Sequence, residues 1–134
     1  MRLLLAALLL LAPVAAAAEC GDELGETGVR RIELPRFTLA YLPDTPLLAP
    51  SQMFTLQVAV CGREGGPAPA LVRVGAWMPE HGHGMNYAPL LSDEGEGRWR
   101  VDGMMFHMPG RWEVTFDLGT ARRTERLVAE ELVD

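Results

Sequence analysis

Two short stretches hold the residues that can do chemistry. The first, Met78-Pro79-Glu80-His81-Gly82-His83-Gly84-Met85-Asn86-Tyr87, places two histidines two residues apart and a methionine two further on. In an extended chain residues i, i+2 and i+4 point to one side, so His81, His83 and Met85 can face a single ion, and Gly82 and Gly84 let the backbone bend inward. The second stretch, Met104-Met105-Phe106-His107-Met108-Pro109-Gly110, holds the remaining histidine and three more methionines. Imidazole with thioether suits copper best, because imidazole serves both oxidation states and methionine sulfur selects soft Cu(I). Zinc fits less well, since a catalytic zinc wants three firm N or O ligands and only three histidines and Glu80 are on offer. A blue-copper carrier needs a cysteine closely followed by His and Met, and nothing of that kind follows Cys61. The competing reading is a glycine-rich turn with exposed or backbone-bonded histidines, and with Met104 and Met105 filling a core.

The rest of the chain offers no catalytic apparatus, so an enzyme is not expected. Ser51 and Ser92 are the only serines and neither sits in a nucleophile-elbow context. The glycine-rich segment 62–66 lacks the lysine of a phosphate cradle. Asp93, Glu94 and Glu96 read as a solvated turn, and Trp77, Trp99 and Trp112, at alternating strand positions, read as core.

The chain begins with Arg2, an apolar run from Leu3 to Leu11 and a small-residue stretch ending at Ala18. That is the pattern of a signal peptide over residues 1–18, with export to the periplasm and no membrane association after cleavage. The run is short for a transmembrane span, so a retained anchor is the lesser alternative. Cleavage leaves about 116 residues, enough for one domain. There are 18 acidic residues against 12 arginines and no lysine, a balance that argues against nucleic acid as a partner. Cys20 and Cys61, the two cysteines, are expected to form a disulfide in an oxidising compartment, with a thiolate metal ligand at Cys61 as the competing reading.

The positioning elements read as strands. Residues 19–28 are a polar, glycine-rich, flexible lead-in. The domain proper, 29–134, starts with two alternating runs separated by Pro35, an edge strand with a break. Met53 to Cys61 puts Phe54, Leu56, Val58 and Val60 on one face and reads as a core strand. Ala70 to Met78 follows, then a short strand over Ala88 to Leu91, an acidic turn over Ser92 to Gly97, and Arg98 to Asp102. Arg111 to Leu118 alternates with Trp112, Val114, Phe116 and Leu118 inward, and Gly119-Thr120 turns into a last strand, Arg122 to Glu130. Arg, Glu, Leu and Ala there would also suit a helix, but hairpin spacing favours a strand. About seven short strands predict an all-β antiparallel sandwich. Consecutive antiparallel strands alternate direction, which brings the His81 loop and the His107 loop to one end and Cys20 with Cys61 to the other.

The segments Trp77 to Met85 and His107-Met108-Pro109-Gly110-Arg111-Trp112-Glu113-Val114 resemble the YtkA-like and FixH-like group of exported or membrane-tethered β-sandwich proteins, over roughly Met53 to Leu118. The resemblance implies an immunoglobulin-like sandwich associated with copper handling or cytochrome oxidase assembly. The expectation is a periplasmic copper-binding protein that stores, delivers or buffers the ion for an envelope partner. His81, His83, Met85, His107 and Met108 are its expected ligands. The alternative is a non-catalytic interaction module, an accessory subunit of an envelope complex, with the histidine loop as a docking turn.

Overall fold

The computed structural model describes residues 16–120 and 122–134. The expected leader therefore lies, except for its last three residues, outside the described residues. From Arg30 onward the described chain is β-structure joined by loops, and its two antiparallel sheets pack as the expected sandwich. Nine strands occur among the described residues: β1 (Arg30–Glu33), β2 (Phe37–Pro43), β3 (Met53–Gly62), β4 (Ala70–Met78), β5 (His83–Gly84), β6 (Leu90–Gly95), β7 (Arg98–Met105), β8 (Gly110–Gly119) and β9 (Thr124–Val133). One sheet runs β1-β2-β3-β7-β6 and the other β5-β4-β8-β9. In the lead-in, Asp22–Leu24 makes one 3-10 turn.

Alternation in the sequence sets which side chains meet between the sheets. Phe54, Leu56, Val58 and Val60 of β3 and Trp112, Val114, Phe116 and Leu118 of β8 are all buried, as side chains on one face of a strand must be when that face packs on a second sheet. Tyr41 packs on Phe116 with ring centroids 5.1 Å apart, and Phe106 touches Phe54 and Trp112, each at 5.1 Å. Polar groups close one open side: the Tyr41 hydroxyl donates to Glu131 Oε1 at 2.7 Å, and Arg30 Nε lies 2.8 Å from the same oxygen. Burial and that hydrogen bond to a carboxylate push the Tyr41 phenol far above its usual range.

Three details differ from the sequence reading. Trp77 is 43% exposed rather than core, because Leu71, Val74, Ala76 and Met78 take the inward positions of β4 and the tryptophan points out. The acidic segment expected as a turn is mostly strand: β6 extends to Gly95, its Ser92 and Asp93 pair with Arg100 and Trp99, and the turn shrinks to Glu96-Gly97. The strand count rises because Pro35 separates β1 from β2 and because His83-Gly84 pair with Met78 and Trp77 as β5. The last segment is a strand, as hairpin spacing favoured, paired without interruption from Gly119↔Thr124 to Gly110↔Val133. Ten continuous cross-strand pairs outweigh the helix propensity of its residues.

Candidate metal centre

The two histidine-bearing loops lie at the same end of the sandwich. Met53 pairs with Met105 where β3 begins, while Cys61 sits near the end of that ten-residue strand, so the thiols and the histidines are separated by its length, about 30 Å. Cys20 and Cys61 are disulfide-bonded, with Cα atoms 5.9 Å apart.

The first loop is a tight reversal after β4. The amides of His81 and Gly82 both donate to the Met78 carbonyl, at 3.2 and 3.0 Å, and the Met85 amide donates to the Ala76 carbonyl at 3.0 Å. Both glycines are required by the backbone. Gly82 has φ 66°, a left-handed conformation that side chains disfavour, and a Cβ on Gly84 would stand 2.3 Å from the Ala76 carbonyl oxygen. The second loop carries His107 between β7 and β8. Gly110, at φ 128°, lets it turn over Met78, whose terminal methyl fills the space a Cβ would need.

These two turns set His83 and His107 against one another, ring centroids 4.9 Å apart. His81 is 5.6 Å from His83, edge to face. Trp112 is the floor, 5.1 Å from His107 and 6.2 Å from His83. Its indole N–H donates to the Met108 carbonyl at 3.0 Å, which fixes the His107 loop on the core. A surface cavity of about 340 Å³ opens between the loops, lined by His83, Gly84, Met85, Asn86, Tyr87, Met105 and His107. The Tyr87 hydroxyl donates to the Gly103 carbonyl at 2.9 Å and ties its outer rim to β7. One atom stands out: His83 Nδ1 is buried and has no hydrogen-bond partner among the described residues. Buried polar atoms without partners are rare in folded proteins and carry a desolvation cost of ~1–3 kcal/mol.

Of the five residues expected as ligands, His83, Met85 and His107 line the cavity. His81 is exposed on the turn, and Met108 is half-buried against the core. Met105, a member of the methionine cluster left out of the expected ligand set, lines the cavity in addition. The signal for it was strand alternation: Met104 is fully buried, so its neighbour must face the other way. Asn86 and Tyr87 were passed over although they directly follow Met85. Among the described residues no three His, Cys, Asp or Glu side chains gather as a metal-holding group. An ion held here would therefore rest on two imidazoles and the thioethers of Met85 and Met105. That donor set matches copper, above all Cu(I), and matches zinc poorly. Comparison of the chain with family models, with curated proteins and with solved structures gives no match in any of the three.

Proposed function

We propose that this domain binds a copper ion at the His83–His107 cavity and stores, delivers or buffers it in the periplasm, with no catalysis of its own. The observation that carries this reading is the buried, unpartnered Nδ1 of His83, a residue that lines one cavity together with His107, Met85 and Met105. An imidazole nitrogen that carries no hydrogen can donate its lone pair to a metal ion in place of accepting a hydrogen bond. His83 and His107 supply the imidazoles, Met85 and Met105 the soft sulfurs, and the exposed His81, its ring 5.6 Å from that of His83, is a further imidazole nearby. Trp112 keeps the His107 loop seated through the Met108 carbonyl. The resemblance to YtkA-like and FixH-like proteins supports the same reading, with an envelope protein as the recipient.

Competition titration against a chromophoric copper chelator tests it. His83→Ala and His107→Ala should each weaken binding at least about tenfold, ~1.4 kcal/mol, while the melting temperature of the metal-free protein stays nearly constant. Binding should also weaken as pH falls, because protons compete for the imidazole nitrogens. If wild type yields its copper to a competitor of micromolar affinity, or if His107→Ala binds like wild type, the copper reading fails. The docking-module reading would then take its place, supported by the exposed Trp77 and Tyr87 in a groove that shares Met85, Asn86 and Tyr87 with the cavity.

A further inference from the structure

The two sheets have four edges, and three of them are blunted. β5 has two residues and covers only Trp77 and Met78 of β4, whose remaining length carries a register shift between Leu71 and Arg73. β1 has four and runs into Pro35. β6 begins just after Pro89 and carries a register shift between Asp93 and Gly95. Short strands, prolines and bulges are among the devices by which proteins stop an edge from recruiting another strand, and charged side chains are another. The fourth edge has none of the first three, and its charges, Glu125, Arg126, Glu130 and Glu131, come in both signs. β9 runs ten residues, Thr124–Val133, with no Pro, Gly or lysine and no break in its ladder to β8, and among the described residues no strand lies on its other side.

We infer that β9 pairs with β9 of a second copy of this chain, antiparallel about a two-fold axis at Val128, joining two four-stranded sheets into one of eight. The residue pattern fixes both partner and register. The outward side chains of β9 are Thr124, Arg126, Val128, Glu130 and Leu132, all exposed. With the axis at Val128, Val128 faces its own copy, Arg126 faces Glu130 and Glu130 faces Arg126. Moving the axis one residue either way sets Arg126 or Glu130 opposite Val128 and leaves the charges unmatched. Opposite charges directly across a ladder stabilise and apolar groups opposite charges do not, so the self-pairing is specific to this register. Arg126 already reaches Asp117 and Glu130 already reaches Arg111 in the same chain, so the new pairs extend a network that holds both side chains in place. On the inward side Glu125 meets Glu131, each with its own arginine, Arg36 and Arg30. The pairing is independent of copper and leaves the His83–His107 cavity open.

Sedimentation equilibrium of the mature protein, up to millimolar concentration, tests the inference. Wild type is expected to be a dimer. Val128 is 47% exposed, so Val128→Lys and Val128→Glu should fold as wild type does. Each alone should weaken self-association at least about tenfold by setting like charges face to face, and an equimolar mixture of the two should dimerise again. Should either charged variant fail to fold, Val128→Cys replaces it and should form an interchain disulfide without added oxidant catalyst. A monomeric wild type, a Val128→Lys protein that dimerises as wild type does, a mixture that stays monomeric, or a cysteine variant that does not cross-link overturns the inference.

Discussion

Replacing Trp112 with alanine should nearly unfold the domain. Its side chain is 0% exposed, packs on Phe106 at 5.1 Å and on His107 at 5.1 Å, and spends its only donor on the Met108 carbonyl at 3.0 Å. Truncating a buried tryptophan to alanine costs ~3–5 kcal/mol through lost transfer energy and the cavity left behind. The lost hydrogen bond adds about 1 kcal/mol. Small domains have only ~5–15 kcal/mol in total, and each kilocalorie lowers the melting temperature of a domain this size by about 4 °C, so a fall on the order of 20 °C or outright unfolding is expected. Thermal melts followed by near-ultraviolet circular dichroism measure it. Trp77→Ala is the internal control: the same truncation at a 43% exposed side chain should cost well under half as much. A shift of only a degree or two in Trp112→Ala, or equal shifts in the two variants, would refute the inward assignment of β8.

Two further perturbations read other parts of the fold. Reducing the Cys20–Cys61 disulfide, which closes a separation of 41 residues, should lower the unfolding free energy by ~4 kcal/mol on the chain-entropy model, and denaturant midpoints unchanged by reductant would contradict that. Hydrogen bonds from Arg126, then Arg73, hold the buried Asp117 carboxyl below its usual range. A depressed folded-state pKa contributes stability that is present above the unfolded-chain value of about 4 and lost as pH falls below it. Asp117→Asn should therefore lose less stability than wild type on acidification from neutral pH into that range. Urea midpoints with the same pH slope for both proteins would remove Asp117 from the account of acid sensitivity.

Much of the fold was legible because burial on a sheet imposes a period of two. Phe54, Leu56, Val58 and Val60, and Trp112, Val114, Phe116 and Leu118, announced β3, β8 and their inward faces without any knowledge of the partner sheet. Counting strand directions was enough to bring His83 near His107 and Cys20 near Cys61. Trp77 departs from the expected core because its phase in β4 turns it outward, and phase outranks aromatic character. The extent of β6 was missed because an acidic run has no apolar face to reveal it, and only the neighbouring β7 gives its backbone groups partners.

What the sequence by itself determined was most of the strands, the inward faces of β3 and β8 and which loops share an end, since these follow from local alternation and from the reversal of direction at each turn. The tertiary structure decided the ångström-scale matters: that Met105 rather than Met108 lines the cavity, that His83 Nδ1 is shut away from every hydrogen-bond partner, and that β9 alone among the edges is left long and unbroken. The reason is physical. Periodicity tells which side of a strand a residue occupies, but the distance between two loops, and the space left between them, depends on how two whole sheets stack, and no single strand carries that information.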